Sequence, residues 1–162
     1  MPAGFRISSA NNARLVAAGH RFRGGPTEET LACHLTGVRP RASLDPHVVT
    51  PAWAGHQWSP WHPLTATAIA RVPAGTGLYR IRGRTGGLLY IGEGRIRDRL
   101  RIHLRKLIQH TPQGRVLVMN VPLEYSTVFD DWRPHQRLEL ETDLIAAHTL
   151  AFGAPPTAQF IG

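Results

Sequence analysis

Residues 77–94, GLYRIRGRTGGLLYIGEG, constrain the fold more than any other part of the chain. Two short apolar runs flank the turn RTGG, and each run carries a tyrosine, Tyr79 and Tyr90. Alternation places Tyr79 and Ile81 on one face of the first run and Leu78, Arg80 and Arg82 on the other. Two such runs joined by a glycine-rich turn predict a β-hairpin. The hairpin leads directly into RIRDRLRIHLRKL. There Ile96, Leu100, Leu104, Leu107 and Ile108 form an i, i+4, i+8 stripe, which predicts a helix over 95–109.

Downstream, RVLVMNVPLEYSTVF reads as β-rich, with Pro122 breaking the run or placing it at a sheet edge. RPHQRLELETDLIAAHTLAFG reads as a second helix, with Pro134 near its start and Gly153 at its end. The order β-β-α-β-α predicts an α+β fold, a small antiparallel sheet with helices packed on it. Residues 1–70 read differently, as a loop-rich extension ahead of a folded unit over 71–162. Within it TEETLACHL predicts one short helix, from Thr27, Glu28, Glu29, Thr30 and Leu31. HQWSPWHP is aromatic and loop-like; His56 and His62 lack further partners at the spacing a zinc site needs. The extension is expected to pack on the folded unit and shape access to it, because Trp53, Trp58 and Trp61 are costly to leave in a disordered tail. With Arg39 and Arg41, these are residue types that contact nucleic acid.

Charge is distributed unevenly. The chain carries 19 Lys+Arg against 11 Asp+Glu, and Lys106 is its one lysine. Arg80, Arg82, Arg84, Arg95, Arg97, Arg99, Arg101, Arg105 and Lys106 crowd into the hairpin and the segment after it, against only Glu93 and Asp98. A concentrated basic face is the footprint of a polyanion partner, and arginine's planar fork suits phosphate. The single cysteine, Cys33, excludes an internal disulfide framework and cysteine-based zinc fingers. No segment has the apolar core of a signal peptide or the ~20 apolar residues of a membrane span. The expectation is a soluble, cytoplasmic protein with no membrane partner. The oligomeric state is left open.

Four blocks in order, GLY, LYIG, IRDRLRIHL and LETDLI, make residues 76–160 resemble the GIY-YIG nuclease family. The resemblance implies a three-stranded antiparallel sheet flanked by helices. It also implies an endonuclease that hydrolyses phosphodiester bonds with one divalent metal, Mg²⁺ or Mn²⁺. Tyr79 and Tyr90 match the tyrosines of the two motifs, and Gly92 the glycine that closes the second. Arg99 matches the arginine of the following helix, His103 a position where relatives often carry His or Tyr, and Glu141 the metal-binding glutamate. The chain departs from the pattern twice. Gln159 is the nearest candidate for a C-terminal asparagine, and Glu93 stands where relatives often carry Lys or Gln.

These residue types suit the implied chemistry. A single carboxylate, completed by water and phosphate oxygens, is a usual way to hold Mg²⁺, which assigns the metal to Glu141. Glu141 also sits mid-stripe among Leu138, Ile145, His148 and Phe152, where an uncompensated charge is costly. Arg99 would stabilise charge developing on phosphorus. His103 would orient the attacking water or a tyrosine, or contact phosphate. Tyr90 or Tyr79 would accept the proton from water, with Tyr90 preferred, provided its phenol is made more acidic than the usual ~10. Arg95, Arg97, Arg101, Arg105, Lys106 and Gln159 are the expected substrate-binding residues, with DNA favoured over RNA. The alternative is a nucleic-acid-binding module that cuts weakly or not at all.

Overall fold

The hairpin forms where its pattern places it. The structure, a computed structural model, describes residues 47–161. Strands β2 (Thr76–Arg82) and β3 (Leu88–Arg95) pair antiparallel, with Tyr79 opposite Gly92 and Ile81 opposite Tyr90. Gly86, at φ 85°, takes the left-handed turn position that disfavours a side chain. Strand β4 (Glu124–Phe129) lies on the other side of β2, and β1 (His62–Pro63) lies outside β4.

Among the described residues the sheet therefore has four antiparallel strands in the order β1-β4-β2-β3, not the expected three. The fourth comes from the segment that reads as loop. Ser59 N–H donates to Thr127 O at 2.9 Å and Leu64 N–H to Leu123 O at 2.9 Å, so the chain follows β4 from 59 to 64. Pro60 and Pro63 cannot donate to a ladder, which leaves only a two-residue edge strand and hides it from pattern reading.

Both faces of β2 are covered. On one, Tyr79 and Ile81 join Leu89 with residues of three helices, α1 (Ala66–Ala70), α2 (Ile96–Lys106) and α3 (Pro112–Met119). On the other, Leu78, Ile91 and Val128 pack against Val48, Trp53 and Trp58 and against α4 (Pro134–Phe152). The alternation of Tyr79 and Ile81 against Leu78 and Arg80 thus sorts side chains between two buried layers. Residues 47–70 contribute to both clusters, Val48, Trp53 and Trp58 to one and Leu64 and Ile69 to the other.

Arg80 ties the 47–61 segment down. It is fully buried and donates to the carbonyls of Val48, Val49 and Thr50, the last at 2.8 Å. Its guanidinium lies 4.3 Å from the Trp58 ring and 4.7 Å from the Trp61 ring. Carbonyl oxygens and indole faces together replace the water that a buried cation loses.

Two local readings need correction. Residues 115–119, expected as the start of the β-rich run, belong to helix α3. Thr111 caps it, accepting from Gly114 N–H at 3.0 Å, and Pro112 occupies its first turn. Cap and proline outweigh the strand preference of Val116 and Val118. Ile108, expected in the helical stripe, is 83% exposed, because α2 stops at Lys106 and the chain turns away. The second expected helix spans Pro134–Phe152, and Gly153 closes it at φ 76°. Among the described residues no helix is long and apolar enough to cross a membrane. The short helix expected near Thr27, together with Arg39 and Arg41, lies outside the described residues.

Candidate active site

Tyr79 and Tyr90 share one face of the hairpin, on neighbouring strands two positions out of register. Their rings stack with centroids 6.0 Å apart. Gly92, directly opposite Tyr79, makes this possible: a Cβ there would run into Tyr79 Oη and Cζ. Gly94, at φ 122°, leaves similar room for Arg99, whose Nε would sit 3.2 Å from an added Cβ.

His103 comes in from α2. Its Nε2 lies 2.9 Å from Tyr79 Oη, and its ring centroid is 4.4 Å from that of Tyr90. Burial, then the charges of Lys106 and Arg99, lower its pKa to about 3, so the ring is neutral at physiological pH. Its buried Nδ1 has no hydrogen-bond partner among the described residues. An orphaned N–H is the rarer and costlier vacancy, which assigns the proton to Nε2. His103 Nε2–H then donates to Tyr79 Oη, and Tyr79 O–H is free to donate to Tyr90, whose pKa that bond lowers.

Both phenols nonetheless titrate above the ordinary range. Burial raises Tyr79 most, followed by the neighbouring Tyr90. Tyr90 is raised by burial and then by the Glu141 charge, against Arg99 and the Tyr79 bond.

Glu141 approaches from α4, on the other side of the sheet. Burial, reinforced by Glu93 and opposed by Arg99, pushes its carboxyl up to about 7. The apolar stripe expected around it is only half present. Ile145 and His148 are buried, but Leu138 and Phe152 are 44% and 51% exposed, so Glu141 lies at the margin of the helix's buried face. Arg99, exposed on α2, is the common electrostatic neighbour. Its charge acts on Tyr79, Tyr90, His103, Lys106 and Glu141. The five residues expected to carry catalysis therefore fall into one electrostatic cluster.

The expected substrate-binding residues are more scattered. Arg95, Arg97 and Arg101 line a groove of about 830 Å³ beside Thr76 and Phe129, with Asp130 and Asp131 also on its walls. Arg97 donates to Val72 O, and Arg101 lies 3.6 Å from Asp98. Arg105 is exposed. Lys106 donates to Gln113 Oε1. Gln159 is buried, its amide bonded to the backbone of Ile91 at 3.0 and 3.1 Å. These bonds engage one N–H and one lone pair of the amide and hold it against the sheet.

Sequence reading missed two participants. Glu93, noted only as a departure from the family pattern, adds negative charge at the tyrosines and at Glu141. Arg137 holds it at 2.9 Å and donates to Trp132 O at 2.8 Å. The available signal was spacing, since Arg137 precedes Glu141 by four residues on one helix face. Among the described residues no group of three or more His, Cys, Asp or Glu is placed to hold a metal.

Fold and site together define an α+β domain that holds two tyrosines, a histidine, an arginine and a half-buried glutamate around one sheet edge. Residues 57–116 match a family described as DUF7508, a domain of unknown function. The matched stretch begins beside Trp58, includes Tyr79, Tyr90, Arg99 and His103, and stops before Glu141 and Gln159. No curated protein and no solved structure matches the chain.

Proposed function

We propose that the protein is a metal-dependent endonuclease of the GIY-YIG type that hydrolyses phosphodiester bonds in DNA. The observation that carries this reading is the cluster itself: the Tyr79–His103 bond beside Tyr90, with Arg99 acting on both tyrosines and on Glu141. Hydrolysis needs a base for water, a cation at the phosphate and compensation for charge on the leaving oxygen. The cluster contains a residue suited to each.

Tyr90 is the better base. The chain of donors from His103 through Tyr79 ends on its oxygen and favours its phenolate, whereas Tyr79 is the more deeply buried phenol. Acting as its phenolate, which must form before the step, Tyr90 takes the proton from the attacking water as the new P–O bond forms and the bond to the leaving oxygen breaks. Arg99, exposed beside the tyrosines, meets the negative charge that builds on the phosphorane. Neutral His103 positions Tyr79 and keeps its donor direction fixed.

Glu141 is the residue that would hold Mg²⁺ or Mn²⁺. The donor set fits: a single carboxylate suits a cation that keeps most of its waters and takes phosphate oxygen. Burial and Glu93 make its carboxyl reluctant to ionise, a cost that a nearby divalent charge would offset. A bound Mg²⁺ would supply charge neutralisation at the leaving oxygen.

A second reading, a nucleic-acid-binding module with weak or no cleavage, draws on the two phenols, both of which resist ionisation in the free protein. Supercoiled plasmid and labelled single-stranded, duplex and branched DNA, incubated with Mg²⁺ or Mn²⁺, separate the two. The nuclease reading expects metal-dependent cuts that disappear in Tyr90→Phe while binding persists. Binding without cutting on every substrate, in either metal, would replace it with the second reading.

A further inference from the structure

Among the described residues strand β3, which carries Tyr90, lies at the edge of the sheet. The backbone groups of Leu89 and Ile91 on its open side need partners, and an uncovered edge frays. The C-terminal residues supply them. Ala158 N–H donates to Leu89 O at 2.8 Å. The Gln159 side chain accepts from Ile91 N–H at 3.0 Å and donates to Ile91 O at 3.1 Å, taking the place of a neighbouring strand's backbone. Phe160, next in the chain, is held at φ 62°, a left-handed conformation that is strained for a residue with a side chain. Such strain persists only where the surroundings enforce it.

The same segment is tied to the opposite wall of the site. Gln113, on the first turn of α3 and 4% exposed, donates through Nε2 to Ala158 O at 2.7 Å. Its Oε1 accepts from Lys106. Lys106 stands three residues after His103 on α2, on the same helix face. The contacts close a ring from His103 through Lys106, Gln113, Ala158 and the β3 backbone to Tyr90, and back across the 4.4 Å ring contact to His103.

We propose that residues 156–160 form a clasp with Gln113 as its hub, and that Gln113 and Gln159 are positioning residues that set Tyr90 against His103. Neither touches a reacting atom. The proposal rests on the nuclease reading only for its effect on turnover; the geometry it assigns to Tyr90 does not depend on cleavage. A segment that merely shields the sheet edge would affect stability and leave Tyr90 unchanged.

The experiment uses the full chain with Tyr125→Phe as background. The chain has three tyrosines, so only Tyr79 and Tyr90 then titrate by ultraviolet absorbance. Tyr125 donates to Ala68 O at 3.3 Å, away from the clasp, so this background also controls for stability loss alone. Gln159→Leu removes both bonds to Ile91. Gln113→Glu keeps the acceptor for Lys106 but loses the donor to Ala158, and it carries the test if Gln159→Leu does not fold. Loosening the clasp admits water to Tyr90, so its titration should move down towards the unperturbed ~10. Turnover on DNA should fall by up to ~10²-fold with KM little changed, the scale of a ~1 Å misplacement. Unchanged titration and unchanged kcat in the folded variants would overturn the proposal. A shifted titration in a protein that never cuts DNA would sustain the clasp and remove the nuclease reading.

Discussion

Replacing Glu141 by glutamine exchanges an ionisable carboxyl for a neutral amide of nearly the same shape. The structure sets the size of the effect. Burial and Glu93 push the Glu141 carboxyl from the usual 4.5 to about 7. Below pH 4.5 it is protonated in both folded and unfolded chains, and the substitution is nearly neutral. Between about 4.5 and 7 the unfolded chain releases the proton while the folded chain keeps it, so wild-type stability falls as pH rises through this window. At ~1.4 kcal/mol per pH unit, the loss is about 1 kcal/mol at pH 5 and at most about 3 kcal/mol at pH 8. Glutamine does not titrate. Urea denaturation in EDTA should therefore show Glu141→Gln gaining on wild type between pH 5 and pH 8. His103 titrates in both proteins alike and cancels. Adding Mg²⁺ at pH 8 should stabilise wild type and leave the variant unchanged, because ligand binding to the folded state alone shifts stability by mass action. The variant should bind DNA and not cut it. A stability difference that stays constant from pH 5 to pH 8 would refute the electrostatic account of Glu141, and full cleavage by the variant would refute its metal role.

Arg99→Ala should lower turnover by at least ~10²-fold, the scale for removing one preorganised donor to a transition state, because Arg99 acts on every other member of the cluster. Arg101→Ala and Arg105→Ala should instead weaken binding in a salt-dependent way; equal turnover losses in all three would make Arg99 one more part of the basic face. Arg80→Leu leaves the carbonyls of Val48, Val49 and Thr50 without their donor and should cost about 3 kcal/mol or more. Limited proteolysis should then cut within 47–61 of Arg80→Leu but not of wild type, and identical digestion patterns would show that the anchor is dispensable.

Much of the fold was legible because its signals are local. Alternation marked both faces of β2, the Ile96–Leu100 spacing marked α2, and Pro134 and Gly153 bracketed α4. The features that escaped depend on partners far away in the chain. β1 exists only because β4 lies beside it, and its prolines argue against a strand in isolation. The valines of 116–118 suggest a strand until Thr111 and Pro112 start a helix ahead of them. Arg80 reads as one of many surface arginines, yet three carbonyls some thirty residues earlier in the chain enclose it. Gln159 reads as a substrate contact, and only the fold shows its amide bonded to the backbone of Ile91.

The site divides the same way. Identity and order of Tyr79, Tyr90, Arg99, His103 and Glu141 are properties of the sequence alone, because motif spacing on a hairpin and two helices needs no coordinates to be counted. Their protonation is not. A neutral His103, two phenols that resist ionisation and a Glu141 carboxyl near 7 follow from how much water each group loses and which charges stand beside it. Desolvation and Coulomb interaction depend on distances across the fold rather than along the chain, so only the tertiary structure could decide them.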